Sequence, residues 1–209
     1  LNLIDIMDGL AGGVTVIAAL AFVFAPLGGE PTYVNLVAAA LAGSVLGFLP
    51  FNYQPARIYL GDSGALFIGF VLAGVAMGES YTQTNVVSLA APILILGVPL
   101  YDTVLVMFLR LLKGKSMFQG SPDHLALRLR FLGMTVKQVV HTLWGLALLG
   151  CGAAYFLIRL SEKRALVLLL VFFFAVMLWT LFVAMIPVDD PASRGGWLKK
   201  AKASPKRQR

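Results

Sequence analysis

Long apolar runs are the feature of this sequence that most restricts its fold. A helix needs about 20 mostly apolar residues to cross a lipid bilayer, and six runs come near that length. Only 13% of the 209 residues are charged, whereas a soluble domain is typically about a quarter charged. The sequence therefore predicts an all-α, polytopic membrane protein. The predicted transmembrane helices cover about residues 9–26, 33–51, 64–79, 85–109, 138–159 and 164–187.

Basic residues are distributed unevenly among the connections between these runs. All 17 Lys and Arg residues except Arg159, Lys163 and Arg164 fall on one side of the predicted membrane. Cytoplasmic segments carry an excess of Lys and Arg, so this side is predicted to be cytoplasmic. It holds the start of the chain, the loops 52–63 and 110–137, and the basic tail.

The sequence lacks the features of a disulfide-linked protein, of a Cys/His metal protein and of a protein that reads nucleic-acid bases. The single cysteine, Cys151, cannot form an internal disulfide, and the sequence has no Cys/His metal pattern. In a membrane protein, a net charge of +7 bears first on how the chain is oriented in the bilayer and on its contact with anionic lipid headgroups. Nothing in the sequence stacks on or reads nucleic-acid bases.

The segment 48–70 joins two apolar runs and contains one carboxylate, Asp62. Pro50 and Pro55 are predicted to break any continuous helix here, so that Asp62 lies on a turn at the mouth of the next helix. Magnesium prefers carboxylate oxygen and usually keeps waters and substrate phosphates as its other ligands. The alternative is that Asp62 or Ser63 simply caps the helix.

The first residues of the chain are predicted to open the first transmembrane helix. On a helix, Asp5 and Asp8 would share one face, and Asn2 would continue the same stripe. Ionisable residues near membrane depth are expensive and are functional by default. Two alternatives stay open: the acids stabilise the helix dipole, and the glycines that follow only permit close helix packing.

The fourth predicted span contains three helix-disrupting residues, Pro92, Gly97 and Pro99. We expect them to kink this helix. Asp102 follows about one turn beyond the kink. It is predicted to have a structural role or to act through another residue.

The loop 110–137 carries His124 and Arg128, which could meet a pyrophosphate. Asp123, Leu127 and Arg128 fit a short amphipathic helix lying at the membrane interface. The alternative is a solvated basic loop that only fixes topology.

Three stretches, in order, match one pattern. They read Asn2-Leu-Ile-Asp5-x-x-Asp8-Gly-Leu-Ala-x-Gly, then Pro50-Phe-Asn-x-x-Pro-Ala-Arg-Ile-x-x-Gly-Asp62-Ser-Gly-x-Leu-Phe-x-Gly, then Asp123-His124-Leu-x-x-Arg-Leu after a Gly-Lys-Ser. The pattern resembles the polyprenyl-phosphate N-acetylhexosamine-1-phosphate transferases of glycosyltransferase family 4. These are multi-pass enzymes that start bacterial cell-envelope glycan synthesis. The resemblance covers about residues 1–140, and its second stretch is the most specific.

The resemblance implies a reaction and a site. The sugar 1-phosphate of a UDP-N-acetylhexosamine, with GlcNAc favoured, would move to undecaprenyl or another polyprenyl phosphate and release UMP. The implied cofactor is Mg²⁺, with Mn²⁺ as an alternative. The implied site residues are Asp62 as metal ligand, Asp5, Asp8 and His124 as catalytic residues, and Asn2, Arg57 and Arg128 as substrate contacts.

The resemblance also implies an organisation and a location. Residues 1–187 would form part of a transmembrane catalytic domain in the inner (plasma) membrane, followed by the basic cytoplasmic tail 188–209. The implied partners are the UDP-sugar, the polyprenyl phosphate lipid and the membrane, with no nucleic acid. A homodimer stays open.

The sequence departs from the family pattern in two ways. Ala126 and Leu127 stand where the family often has further histidines. The family also carries an Asp-Asp pair and a lysine on an earlier loop, which this chain does not contain. We therefore expect the chain to be the C-terminal part of a larger helical bundle, with its general base upstream of Leu1, and to be inactive alone.

Three other functions remain as alternatives. The first is a phospho-N-acetylmuramoyl-pentapeptide transferase. The second is a transporter whose broken helices bind an anionic substrate, although such a protein should place polar groups near the middle of the membrane. The third is a non-catalytic membrane scaffold.

Overall fold

The computed structural model describes residues 1–24, 33–78, 81, 84–112, 114 and 123–186. The predicted tail 188–209 and most of the middle of the loop 110–137 lie outside this range. Two short 3-10 helices cover Asn2–Ile4 and Val86–Ala90. The α-helices are α1 (Leu10–Phe24), α2 (Tyr33–Asn52), α3 (Gly61–Gly78), α4 (Ala91–Ile95), α5 (Gly97–Leu112), α6 (Leu125–Phe131), α7 (Val136–Arg159) and α8 (Glu162–Ala184).

The described helices confirm a polytopic helical membrane protein. Four of them, α2, α3, α7 and α8, are long and apolar enough to cross a membrane. A fifth span results if the segment from Val86 to Leu112 counts as one broken helix. The remaining predicted span, residues 9–26, corresponds to α1, which is apolar but has only 15 residues.

The predicted kink in the fourth span is confirmed. The two halves of this segment are bent by 79°, and the break falls at Leu96, between α4 and α5. Pro92 and Pro99 lie on either side of it. Because proline lacks a backbone N–H and crowds the preceding turn, helices bend at such positions.

The predicted break between the second and third apolar runs is confirmed, since α2 ends at Asn52 and α3 begins only at Gly61. Pro50 lies inside α2, which continues to Asn52 before the chain turns. The helix ends only two residues later, so its disruption by Pro50 is confined to the last turn. The turn that precedes α3 therefore starts after Asn52 and contains Pro55.

Helices α1 and α7 form the centre of the fold. Each contributes to both hydrophobic clusters, one shared with α2, α3 and α4 and the other with α5, α6 and α8. They approach closely where Gly13 faces Trp144, since a Cβ on Gly13 would come within 2.0 Å of the indole. Such contacts between small and large residues are typical of helix packing in membranes, as expected for the glycines of α1.

Large apolar side chains also cover much of the exterior. Phe70, Met77 and Phe173 are more than 60% exposed, and only 6% of the most apolar window of α8 is buried. A soluble protein rarely shows apolar surface of this extent. Lipid tails solvate such a surface, which agrees with a membrane-embedded bundle.

Candidate active site

The start of the chain is less regular than predicted. Asn2 lies in a 3-10 turn, Asp5 and Asp8 lie in the turns that follow, and α1 begins only at Leu10. The prediction that these three residues share one α-helical face was therefore wrong. The interruption comes at Gly9, whose φ of 79° is a backbone conformation that favours glycine.

Asn52, at the end of α2, ties this start to the following loop. Its Oδ1 accepts a hydrogen bond from the Gly9 N–H at 3.1 Å, and its Nδ2 donates to the Ile58 carbonyl at 3.0 Å. Asn52 is only 3% exposed. A buried amide with both ends bonded fixes two chain segments relative to each other, because leaving either end unpaired is costly.

Asp8 makes a second connection to the same loop. One oxygen of its carboxylate accepts a hydrogen bond from the Ala56 N–H at 3.0 Å. The loop 53–60 is thus held to the start of the chain by both Asn52 and Asp8. Arg57, adjacent to Ala56, is exposed, and its side chain makes no ion pair with any described residue.

Asp62 lies in the first turn of α3, directly after Gly61, which has a φ of 69°. It is exposed. Neither Asp62 nor Ser63 makes a side-chain hydrogen bond to a described residue, so a capping hydrogen bond is not what holds them there. The Asp62 carboxylate at the N-terminus of α3 is favoured by the helix dipole and remains available to a ligand.

The carboxylates of Asp8 and Asp62 are close enough to Asp5 to act on it electrostatically, and the three are called the carboxylate neighbourhood below. Partial burial raises the pKa of Asp5, and the negative charges of Asp62 and then Asp8 raise this pKa further. A raised folded-state pKa means that the charged form of Asp5 is less favourable in the folded protein than in the unfolded chain. A bound cation would reverse this penalty.

The donor chemistry of this neighbourhood fits a hard divalent cation. Its side chains offer carboxylate oxygens, the ligands that Mg²⁺ prefers. Within the described ranges, no three His, Cys, Asp or Glu side chains form a ready-made metal cage. Mg²⁺ is usually bound through one or two carboxylates and takes its remaining ligands from water and substrate phosphates.

His124 lies directly before α6, in contact with α5. Its Nδ1 is 2.7 Å from Asp102 Oδ2, and the other oxygen, Oδ1, accepts a hydrogen bond from the Leu125 N–H at 2.7 Å. The prediction that Asp102 has a structural role or acts through another residue agrees with these contacts. Among the described residues, the imidazole does not bond to Asp5, Asp8 or Asp62.

Arg128 has a different environment from the predicted one. Its guanidinium is 2% exposed and forms an ion pair with Asp123 at 2.8 Å. It also donates to the carbonyls of Asp123, Val183 and Ile186. Through these contacts, Arg128 joins α6 to the end of α8. To bind a phosphate, the guanidinium would have to break these contacts.

A small apolar cavity lies between the start of the chain and the residues that neighbour His124. Its lining includes Ile4 and Ile6, which flank Asp5, together with Asp102 and Leu125, which contact or adjoin His124. The carboxylate neighbourhood and the His124 segment therefore lie at the same end of the bundle. This placement agrees with the predicted gathering of polar residues at one membrane face.

Sequence reasoning missed two contributors. Asn52 was part of a recognised pattern but was given no role; a lone amide at the end of an apolar run was the available signal. Tyr53 and His141 were also missed as a pair, although the Tyr53 hydroxyl lies 2.9 Å from His141 Nε2 and joins the loop to α7. Their separation of 88 residues leaves no local signal.

A family model described as glycosyl transferase family 4 matches residues 1–79, which contain all three carboxylates of the site. The chain belongs to glycosyl transferase family 4. This confirms the resemblance drawn from the sequence.

Several curated proteins are similar to the chain. One is a probable undecaprenyl-phosphate N-acetylglucosaminyl 1-phosphate transferase of Bacillus subtilis, 33% identical over 67% of this chain and 39% of the relative. A decaprenyl-phosphate N-acetylglucosaminephosphotransferase of Mycobacterium tuberculosis is 33% identical over 75% of this chain and 44% of the relative. A phospho-N-acetylmuramoyl-pentapeptide-transferase of Desulforudis audaxviator is 36% identical over 73% of this chain and 45% of the relative. The chain thus spans less than half the length of these relatives.

Proposed function

We propose that this chain takes part in the transfer of an N-acetylhexosamine 1-phosphate, with GlcNAc as the favoured sugar, from a UDP-sugar to a polyprenyl phosphate. An oxygen of the lipid phosphate would attack the phosphorus that carries the sugar. The bond from that phosphorus to the UMP oxygen breaks, giving a lipid-linked pyrophosphoryl sugar and UMP.

One observation carries this proposal. Asp5, Asp8 and Asp62 stand in one electrostatic neighbourhood with no cation paired to them among the described residues. Such an arrangement costs stability unless a positive ligand completes it. Both reactants are anions that must come together, so a site of this kind suits phosphoryl transfer, which depends mainly on positioning and charge neutralisation.

Asp62 is the residue we assign to Mg²⁺, with Asp5 and Asp8 lining the same pocket. When bound, the ion would offset the repulsion between the two phosphate groups and stabilise the leaving UMP. Asp8 also holds the loop carrying Arg57 through the Ala56 N–H. Arg57, Asn2 and the imidazole of His124 are the side chains we assign to the phosphates of the donor.

The proposed location follows from the charge distribution and the chemistry. The face that holds the carboxylates carries most of the Lys and Arg residues, which supports a cytoplasmic orientation in the inner (plasma) membrane. There the nucleotide would arrive from the cytoplasm and the lipid from the bilayer.

A second candidate is phospho-N-acetylmuramoyl-pentapeptide transfer. It is favoured by one observation, namely that relatives with this printed name are as similar to the chain as those named for N-acetylglucosamine. Both reactions use the same phosphoryl chemistry and differ in the sugar that the donor carries.

The test uses membranes that contain the product of the full open reading frame encoding this chain. Each labelled donor, UDP-N-acetylglucosamine and UDP-N-acetylmuramoyl-pentapeptide, is followed into organic-extractable lipid, together with UMP release. We expect Mg²⁺-dependent transfer from the first donor and a loss of at least about 100-fold in Asp62→Asn. Glu162→Gln removes an exposed carboxylate from the start of α8 and is the matched control.

Three outcomes would contradict the proposal in different ways. Transfer from only the muramoyl donor would replace the favoured sugar. Full transfer by Asp62→Asn would remove this residue from the metal site. No transfer from either donor would favour an anion transporter or a scaffold.

A further inference from the structure

The buried pair formed by Asp102 and His124 has a geometry that neither the family match nor the proposed reaction explains. Asp102 comes from α5, just beyond the bend of the broken span, and is 3% exposed. His124 comes from the segment before α6, and its side chain is 12% exposed. A short hydrogen bond of 2.7 Å joins them across 22 residues of sequence.

Both oxygens of the Asp102 carboxylate are engaged. Oδ1 accepts from the Leu125 N–H, and Oδ2 lies opposite His124 Nδ1. An ionised carboxylate can only accept hydrogen bonds, so Nδ1 must carry the proton. The second ring nitrogen, Nε2, then becomes the only imidazole nitrogen left to meet a ligand or exchange a proton.

The backbone around His124 is also fixed. On its N-terminal side, Asp123 pairs with Arg128, and the same guanidinium donates to the carbonyls of Val183 and Ile186. On its C-terminal side, Asp102 holds the Leu125 N–H. The imidazole therefore projects from a segment that is anchored to α5 and α8, and its direction is set by buried contacts.

We propose that Asp102 is a positioning residue that keeps His124 in the Nδ1–H tautomer and presents Nε2 to the phosphate groups of the donor. The identity of that ligand rests on the function proposed above, whereas the tautomer does not. Because Nδ1–H is held by the Asp102 carboxylate, Nε2 is the ring nitrogen that faces the ligand. A carboxylate that orients a histidine through its far nitrogen is a common way to fix the tautomer that chemistry requires.

The simpler alternative gives Asp102 a purely structural role. In that case it would only satisfy the Leu125 N–H at the start of α6, and the contact with His124 would be incidental. The two roles differ in what they predict for the imidazole. They also differ in whether the effects of changing Asp102 and His124 are independent.

The first experiment reads the tautomer directly. The sequence has only two histidines, so protein labelled with ¹⁵N-histidine gives two sets of ring signals, and His141→Gln assigns them. We expect the Nδ1–H tautomer for His124 in the unsubstituted protein and the Nε2–H tautomer in Asp102→Asn, whose amide would donate to Nδ1. An Nε2–H tautomer in the unsubstituted protein would overturn the proposal even if the variant fails to fold.

The second experiment is a double-mutant cycle on transfer activity. We expect Asp102→Asn to lower kcat at least about tenfold and to change KM much less. In a His124→Gln background it should cost nothing further, because Asp102 acts through the ring. Independent effects that multiply in the double variant would assign Asp102 a purely structural role. Thr103→Val, which removes only a hydroxyl bonded to the Pro99 carbonyl, is the control on α5.

The two experiments separate this inference from the proposed function. Predicted tautomers without transfer from any UDP-sugar would overturn the function and leave His124 positioned for another ligand. Transfer that proceeds at full rate in Asp102→Asn, with its tautomer reversed, would overturn the positioning role while the function stands.

Discussion

Two pairs of aspartates at the same end of the bundle have opposite environments. Asp102 and Asp123 are each 3% exposed, and each is bonded to a partner that can carry positive charge, His124 or Arg128. Asp5 and Asp62 are more accessible, and no described side chain bonds to either. Burial and negative neighbours even raise the pKa of Asp5.

The contrast separates buried carboxylates that stabilise the structure of the site from accessible carboxylates that can bind a ligand. A satisfied buried carboxylate holds its surroundings in place, and removing its partner is strongly destabilising. An unsatisfied carboxylate near like charges costs stability and persists at functional positions, where a ligand offsets the cost. The same residue type thus serves two purposes, and its partners indicate which one.

The largest expected effect on stability comes from breaking the buried ion pair between Asp123 and Arg128. Arg128→Met removes the buried ion pair with Asp123 and the hydrogen bonds to the carbonyls of Val183 and Ile186 at the end of α8. We expect a loss of about 3–5 kcal/mol in the free energy of unfolding, measured by thermal unfolding in detergent. Asp62→Asn should leave this stability nearly unchanged, since Asp62 is exposed. Equal losses in the two variants would erase the distinction between the regions.

A smaller effect on stability is expected at Asn52, which links the start of the chain to the loop 53–60. Asn52→Ala leaves the Gly9 N–H and the Ile58 carbonyl without their buried partner. The expected cost is about 1–3 kcal/mol per unsatisfied group, with a raised KM for the donor because Asp8 and the loop 53–60 lose their fixed relation. Ser44→Ala, on an exposed part of α2, is the control. An unchanged KM would show that Asn52 supports the fold alone.

The smallest effect is the stabilisation expected when an unsatisfied acid is neutralised. The folded-state pKa of Asp5 is raised, so its protonated form favours folding at low pH, and this advantage is lost as pH rises through the folded-state pKa. Without divalent cations, Asp5→Asn should therefore gain stability over the unsubstituted protein as pH rises from about 3 to about 7. Unfolding curves across that range provide the measurement. If the stability advantage of Asp5→Asn over the unsubstituted protein shrank as pH rises, the raised pKa of Asp5 would be contradicted.

The sequence predicted the helical membrane architecture because hydrophobic length and charge distribution are properties of the chain itself. The apolar runs located α2, α3, α7 and α8 to within a few residues, and Pro92 and Pro99 located the bend. Pro50 and Pro55 located the break between α2 and α3, although α2 continues two residues past Pro50 because a proline in the last turn of a helix does not end it at once.

The site was only partly predictable. The carboxylates could be selected because acids are rare in such a chain, and their family pattern assigned them roles. The break at Gly9 could not be foreseen, because Gly9 lies against Asn52 and Tyr53, which are more than 40 residues away in the sequence. The bonds of Asp102 to His124 and of Arg128 to the carbonyls of Val183 and Ile186 were equally inaccessible, since they join segments distant in sequence.

The most direct test of the account asks whether the unpaired acids bind a divalent cation. Mn²⁺ binding to the purified protein can be followed by electron paramagnetic resonance, with Mg²⁺ as competitor and Glu162→Gln as control. We expect Mn²⁺ to bind at a site from which Mg²⁺ displaces it. Its affinity should fall at least about tenfold in Asp62→Asn, because loss of a direct ligand should cost no less than loss of an outer partner. Equal Mn²⁺ affinity in the unsubstituted protein and Asp62→Asn would contradict it.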